Sequence, residues 1–582
     1  MSGLRKPAPR RPGSWRGFVL LIFFAAAAAA LEARVWYLQL IHNEFLAAQG
    51  DDRQVRTVEI SAHRGDITDR HGEPLAASTP VDSIWANPRQ VTPALDRLPE
   101  LARALELDPE WLARRITSNV EREFVYLKRH LTPAQAAAVL ELDMPGIGTT
   151  REYGRYYPAG EIAGHVIGFT DIDDNGQEGL ELAFDYWLRG EAGSKRVRQD
   201  RFGRVVDDVE QIQAPRPGRT LRTSLDLRLQ YLAYRELKLA VGENLARSGS
   251  VVVLDPHTGE VLAMANQPSF NPNNRAHRDP ALYRNLGATD LFEPGSSFKP
   301  FVLAAALESG HVAPDTLIDT SPGYLTVGGR KLTEDPTRLG LISVTGILAK
   351  SSNVGAGRIA LELAPETIAR TLQGFGIGRS TESGFPGESA GVLHDARHWR
   401  EVGQATLAYG YGLSVTTLQL ARAYAAIAAD GVLRPVSMLA LDARPAGERV
   451  ISATTAAQLL DMMQAVISPE GTGQRAAVRN YTVAGKTGTS RISSAEGYSA
   501  SSSPFAARRY TAVFAGIAPA ADPRLVIAVV IDDPQGREYY GGDVAAPVFA
   551  RIAAGAMRLL AVPPDALAEP PMTVVAHAQV GP

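Results

Sequence analysis

Cysteine is absent from all 582 residues, which excludes disulfide bridges, thiolate nucleophiles and cysteine-built zinc sites and leaves the redox compartment open. Nor is there an excess of charge: 60 basic against 63 acidic residues leave a formal net charge of -3. So balanced a chain has no bulk electrostatic attraction for a phosphate backbone, which argues against nucleic acid as a partner. Acidic residues are missing from the opening stretch, where Arg5, Lys6, Arg10, Arg11 and Arg16 stand without a counter-charge before Glu32. What is present is an ordinary globular composition, 45% hydrophobic and 21% charged. At roughly 100–200 residues per domain, the length predicts two to four domains.

The basic opening runs directly into an apolar stretch from Phe18 to Leu31, the layout of a targeting segment. Apolar residues resume after Arg34 and continue to Ile41, with Trp36 and Tyr37 suited to a membrane interface. About 20 helical residues at 1.5 Å each cross a hydrocarbon layer of roughly 30 Å. Residues 18–41 therefore read as a transmembrane signal anchor. The positive charges place residues 1–17 in the cytoplasm and the chain beyond about residue 42 outside. A cleaved signal peptide ending near Leu31-Glu32-Ala33 is the competing reading.

Beyond the anchor, residues 50–217 are charged, punctuated by glycine and mixed in pattern, predicting short strands and helices. Within them Leu95, Leu98, Leu101 and Leu105 recur at helical spacing, and amphipathic helices are expected over Leu95–Leu142. Pro215-Arg216-Pro217-Gly218 marks a boundary, followed by a helical run to Val241. Ser250–Leu254 and Val261–Ala265 flank an Asp255-Pro256-His257-Thr258-Gly259-Glu260 turn and read as a hairpin. A second hairpin is expected from Tyr510–Ile517 and Leu525–Ile531. Between the two lies a largely helical block that includes Thr416–Ala429. Sheet, helices and sheet again make 218–561 an α+β domain with a mainly antiparallel sheet flanked by helices. Ser490–Ser503 reads as a mobile loop, and 562–582, with Pro563, Pro564, Pro570 and Pro571, as a disordered tail.

The chemistry resides in three short segments. Glu293-Pro294-Gly295-Ser296-Ser297-Phe298-Lys299-Pro300 leads into an apolar helix, on which Ser296 and Lys299, three apart, share a face. A lysine amine can then deprotonate the hydroxyl, provided burial or a second cation brings it below its ordinary pKa near 10.4. Ser-x-x-Lys alone is common, and Ser296 alone reads equally as a helix cap. Two further segments change the balance: Lys350-Ser351-Ser352-Asn353-Val354-Gly355, and Val483-Ala484-Gly485-Lys486-Thr487-Gly488-Thr489-Ser490. All three lie in order between the hairpins of one domain, and such a trio is the signature of serine acyl-enzymes. The last reads as a strand, with Gly488 allowing close backbone approach. A phosphate-binding loop ending at Gly485-Lys486-Thr487 would need glycine at position 480, which is Asn480. His394 and His398 could share a helix face, but no third ligand has a recognisable spacing, and neither metal nor cofactor is expected.

With these motifs the chain resembles class B penicillin-binding proteins of the division-specific, penicillin-binding protein 3 type, over most of its length. Ala62–Arg70, Tyr153–Gly160, His165–Thr170, Glu178–Glu181 and Asp200–Arg204 resemble that family's N-terminal pedestal, here 50–217. Ser351-Ser352-Asn353 with Lys486-Thr487-Gly488-Thr489 resembles the division rather than the elongation type. The resemblance implies a peptidoglycan D,D-transpeptidase that is acylated by β-lactams. Ser296 would be the nucleophile, Lys299 its base, Ser351 and Asn353 the proton relay and amide holder, and Lys486 a source of positive potential. Thr487, Gly488 and Thr489 would bind substrate. It further implies a stem pentapeptide donor, an acceptor strand, a membrane-embedded septal glycosyltransferase and other division proteins as partners. The expected location is the inner membrane, with the catalytic domain periplasmic. An elongation-type transpeptidase, a D,D-carboxypeptidase, a β-lactamase and a silent penicillin-binding scaffold are the alternatives. The anchor reading predicts that alkaline carbonate leaves the chain in the membrane pellet; release into the supernatant contradicts it.

Overall fold

The computed structural model of the chain describes residues 15–41, 55–199, 205–274, 279–335, 337–492 and 509–566. The basic opening before Trp15, the Asp200–Arg204 stretch, the Ser-rich loop from residue 493 and the tail from residue 567 lie outside the described residues. The N-terminal segment is an α-helix over Trp15–Trp36 that widens into one π-helical turn over Tyr37–Ile41. Its 26 residues Trp15–Leu40 are long and apolar enough to cross a membrane, and none of that span is buried by protein.

The chain divides into two compact units, one of residues up to Ala62 with Pro80–Glu152 and Glu191–Arg216, the other of His63–Thr79, Tyr153–Gly190 and Pro217 onward. In the first, helices Leu98–Leu105, Pro109–Thr117 and Pro133–Leu140 bury Leu101, Leu105, Leu112, Ile116 and Val139. Asp108 accepts a hydrogen bond from the Trp111 N–H, Thr132 and Gln135 form a capping box, and Pro99, Pro109 and Pro133 stand in the first turns, where a missing N–H leaves no helical bond unmade. The run expected to be helical throughout is interrupted by a strand, Val125–Leu131, antiparallel to Asp82–Ala86. Val125, Leu127 and Leu131 are buried while the residues between them are half-exposed, a period of two that belongs to a strand with one face covered. A separate antiparallel sheet joins Val55–Ile60, Gly193–Gln199 and Val205–Gln213.

The second unit is built on a five-stranded antiparallel sheet. Its elements are α1 (Leu227–Glu243), β1 (Ser248–Leu254), β2 (Val261–Gln267), α2 (Lys299–Glu308), α3 (Val344–Ala349), α4 (Asn353–Glu362), α5 (Thr417–Ala428), α6 (Ala453–Ile467), β3 (Ala484–Arg491), β4 (Tyr510–Ala518), β5 (Leu525–Asp532) and α7 (Ala546–Leu559). The order is β2-β1-β5-β4-β3, so the expected hairpins β1–β2 and β4–β5 meet at the centre. Both faces are covered, which is why these strands are nearly continuous apolar runs. Val251, Val253, Phe514, Ile527 and Val529 pack with α1 and α7 on one side. Val252, Leu254, Val513, Val526 and Ala528 face the core of α2, α5 and α6 on the other. The result is a three-layer α+β sandwich with β3 at one edge.

Charged residues of the Arg64, Tyr153–Gly160 and Glu178–Glu181 stretches are also buried in this unit. Arg64 is 2% exposed, Glu181 is fully buried, and the Arg64 Nε donates to Glu181 Oε2 at 2.8 Å. Arg155 Nε donates to Glu181 Oε1 at 2.6 Å, and Arg64 Nη1 reaches Asp185 Oδ1 at 2.8 Å. Glu181 thus bridges two buried guanidiniums, of which Arg64 has Asp185 as a second carboxylate partner and Arg155 depends on Glu181 for its ion pair. Removing a single partner of such a buried group typically costs about 3–5 kcal/mol, because the charge left behind is unpaired. Glu181→Ala is expected to lose stability on that scale, and Glu181→Gln less, when urea unfolding of the detergent-solubilised chain is followed by tryptophan fluorescence.

Candidate active site

Ser296 sits on a single 3₁₀ turn, Gly295–Phe298, that runs straight into α2. Two features fix this turn against the edge strand β3. Gly295 has φ +57° and a Cβ there would lie 2.9 Å from the Thr489 carbonyl oxygen, so only glycine makes the turn this close. Behind it, Phe298 and Phe301 are fully buried, and the Tyr424 hydroxyl of α5 donates to the Ser297 carbonyl at 2.7 Å. On the strand side, a Cβ at Gly488 would stand 2.5 Å from the Pro294 carbonyl oxygen. The residue that the sequence marks for close approach is therefore where the Ser296 turn touches the strand.

Lys299 and Lys486 are both fully buried. The Lys299 ammonium donates to the Ser351 carbonyl at 2.5 Å, to Asn353 Oδ1 at 2.8 Å and to Ser351 Oγ at 3.1 Å. Lys486 Nζ donates to Ser351 Oγ at 3.0 Å, and to the Thr487 carbonyl and Oγ1 at 3.0 and 3.1 Å. Each ammonium has three N–H groups, and each gives all three. Ser351 Oγ receives one from each lysine, which uses both of its lone pairs and leaves its own O–H to donate. Burial, and then the neighbouring Lys486 charge, hold the Lys299 amine well below its ordinary pKa, while Asp335 pulls it back up. Burial lowers Lys486 to about 7.

The lysines meet at Ser351 because that residue adopts a left-handed backbone, φ +60°, unusual for a side chain with a Cβ. Such a conformation costs on the order of 1–3 kcal/mol and persists only where its surroundings enforce it. Here the next residue is the cap of α4: Ser352 Oγ accepts from the Gly355 N–H at 2.9 Å and donates to Asp335 Oδ2 at 2.5 Å. Asp335 Oδ1 also accepts from the N–H groups of Asn353 at 2.8 Å and Val354 at 3.3 Å. A carboxylate at a helix N-terminus, with three donors aimed at it, clamps the Ser351–Asn353 corner. Asn353 Nδ2 donates in turn to Thr333 Oγ1 at 3.3 Å, which sets the amide with its oxygen toward Lys299.

The structure thus brings Lys299, Ser351, Asn353 and Lys486 into one hydrogen-bonded cluster, with Ser296 on the turn beside it and Thr487, Gly488 and Thr489 along β3. The sequence led to an expected bond between Lys299 and Ser296; among the described residues Lys299 spends its three donors on Ser351 and Asn353 instead. A neutral amine has two N–H groups and one lone pair, so accepting a proton from Ser296 requires that one of these contacts be given up. Asp335 and Thr333 escaped the sequence reading, since nothing in Lys331-Leu332-Thr333-Glu334-Asp335 has a motif spacing and their partners lie some 20 residues away.

Comparison with known proteins bears on the whole chain. Residues 249–554 match the penicillin binding protein transpeptidase domain, and residues 59–223 the penicillin-binding protein dimerisation domain. The chain is 42% identical over 559 residues to the peptidoglycan D,D-transpeptidase FtsI of Escherichia coli K12, covering 95% of this chain and 93% of that one. It is 41% identical over 558 residues to the probable peptidoglycan D,D-transpeptidase PbpC of Pseudomonas aeruginosa, covering 96% and 97%. Among solved structures it is similar to a Bifidobacterium adolescentis peptidoglycan synthetase, with TM-score 0.68 and 26% identity over 89% of this chain and 99% of that one. Penicillin binding protein 3 of Mycobacterium tuberculosis in complex with aztreonam gives TM-score 0.65 and 29% identity over 87% and 99%.

The Asp335 charge opposes the fall in the Lys299 pKa. A base that works as the free amine becomes available at lower pH when that charge is removed. Asp335→Asn is therefore expected to move the acidic limb of the pH profile for covalent labelling of Ser296 toward lower pH. An unmoved or upward-shifted limb, measured by stopped-flow acylation, contradicts the assignment of Lys299 as base.

Proposed function

The chain belongs to the penicillin-binding protein transpeptidase family, and from that premise we propose that Ser296 is the nucleophile with which it joins the stem peptides of the cell wall. The protein is a peptidoglycan D,D-transpeptidase, a serine acyltransferase of septal wall synthesis that β-lactams inhibit covalently. Among the described residues one helix, near the N-terminus, is long and apolar enough to span a membrane, as expected of a single-pass inner-membrane protein.

In our reading Ser296 Oγ attacks the carbonyl of the penultimate D-Ala, and its proton passes to the neutral Lys299 amine. The tetrahedral oxyanion is met by the backbone N–H groups of Ser296 and Thr489; loss of one such donor typically costs about 10²–10³ in rate. The C–N bond then breaks, and the departing terminal D-Ala takes a proton from Ser351 Oγ, which is resupplied from the lysine side. Ser351 suits this role because its oxygen accepts from both amines while its O–H stays available. Asn353 holds the substrate amide, and Thr487 and Thr489 bind the terminal carboxylate. Thr489 Oγ1 already accepts from the Gly541 N–H at 3.0 Å, so its proton is left for an anion. An acceptor amine finally attacks the acyl-enzyme and restores Ser296. A β-lactam acylates the same oxygen but keeps its leaving nitrogen tethered, so the second step stalls.

The observation that carries this reading is the convergence of two buried lysines on one serine oxygen beside the nucleophile turn. No solvent-exposed set of the same residues could lower an amine into the working range. We further read residues 18–41 as the anchor, 50–217 as the pedestal and 218–561 as the transpeptidase domain, with the N-terminus cytoplasmic and the remainder periplasmic. A membrane-embedded septal glycosyltransferase and other division proteins are the expected partners, since the reaction consumes glycan strands that this chain is not read as making.

Ser296→Ala is expected to abolish labelling by a fluorescent penicillin while leaving the melting curve unchanged; retained covalent label overturns the nucleophile. Product analysis on stem-pentapeptide strands should yield cross-linked muropeptides. Release of D-Ala without cross-links indicates a carboxypeptidase, and neither product a silent scaffold.

A further inference from the structure

Thr472 has no part in the reaction described above, yet it joins two of the three segments that form the site. It stands in the loop after α6, where its N–H donates to the Ala349 carbonyl at 3.2 Å, at the end of α3 and two residues before Ser351. Beside it, Lys350 Nζ donates to the Glu470 carbonyl at 2.8 Å. On the other side, Thr472 Oγ1 and Thr487 Oγ1 are 2.9 Å apart, and either can be the donor.

The direction of that bond decides what Thr487 can offer a ligand. A hydroxyl has one proton and two lone pairs. Lys486 already occupies one lone pair of Thr487 Oγ1, at 3.1 Å. If Thr487 donates to Thr472, its proton is spent inside the protein. If Thr472 donates instead, the second lone pair is filled and the Thr487 proton points to whatever lies in the cleft. An anion there favours the second arrangement, because a hydrogen bond to a charged acceptor is stronger than one between two hydroxyls. Thr472 has no other side-chain hydrogen bond among the described residues to hold its proton back. Thr487 is itself buried, with 7% exposure, and among the described residues the side chains that compete for its hydroxyl oxygen are Thr472 and Lys486.

We propose that Thr472 is a positioning residue for recognition of the substrate carboxylate: by donating to Thr487 Oγ1 it releases the Thr487 proton to the ligand. This rests on the reading that Thr487 meets that carboxylate. Valine at position 472 keeps the branched shape and the backbone bond to Ala349, so it removes the hydroxyl alone. Serine restores it.

The test uses the full chain in detergent and two probes, a penicillin with its free ring carboxylate and the methyl ester of the same penicillin. Thr472→Val should lower the second-order acylation rate for the free acid by about fivefold, the scale of one neutral hydrogen bond. The rate for the ester should stay at the wild-type value, and Thr472→Ser should recover the rate for the acid. Thr472→Ala, which makes no demand on the packing of a second methyl, should behave as the valine variant and serves if that variant does not fold. The proposal is overturned if the acid reacts with Thr472→Val at the wild-type rate, or if both probes slow equally, as a purely structural strut would require. Thr487→Val separates the two levels: with Thr489 still in place, it should reduce the preference for acid over ester at least as far as Thr472→Val does. A preference in Thr487→Val equal to that of the wild type shows that the Thr487 carboxylate assignment itself is wrong, whatever Thr472 does.

Discussion

Two buried lysine amines share one acceptor, Ser351 Oγ, and the site exists because the fold tolerates that. Taking an ammonium out of water costs several kcal/mol, and placing a second one beside it adds repulsion. The structure meets this cost in two ways: every N–H of both groups finds an oxygen, and the amines shed their protons more readily than lysine in water. Burial acts on both amines, and the Lys486 charge adds to it at Lys299. An amine held this way gives up a proton more readily than lysine in water, the property that the proposed acyl transfer asks of its base.

The rest of the second unit can be read as the apparatus that holds three chain segments around that oxygen. Ser296 and Lys299 come from the turn and start of α2, anchored through Phe298, Phe301 and Tyr424 into the helical core. Ser351 and Asn353 come from the corner between α3 and α4, which Asp335 clamps from a separate hairpin. Lys486 comes from β3, an edge strand whose other side is zipped along β4 over eight residue pairs. Among the described residues β3 ends the sheet, its outer edge takes no further strand, and the Ser296 turn can come against it. Gly295 and Gly488 set how close that approach is. A side chain at either position would push the turn away from the strand and Ser296 away from Thr489.

Much of this was legible in the residues. Both hairpins, the α5 helix with its Thr416 cap, and the strand character of Ala484–Arg491 follow from periodicity and turn chemistry. The three motifs named the cluster because Ser-x-x-Lys, Ser-x-Asn and Lys-Thr-Gly-Thr each specify side chains at fixed local offsets. The strand Val125–Leu131 was missed, since neighbouring leucines at helical spacing masked an alternation only seven residues long. Asp335, Thr333 and Thr472 were missed for a different reason. Each acts on partners 15 to 20 residues away, and no local pattern records that.

The sequence by itself determined the apolar helix of membrane-spanning length, the apolar strands and the side chains that each motif carries, because these depend on residues within a turn or two of one another. Only the tertiary structure decided which oxygen each lysine proton rests on, and how far each amine's pKa falls. Those quantities depend on distance, burial and direction among segments some 50 to 135 residues apart, and such geometry is set by packing the whole sheet and its helices, not by any one stretch of chain.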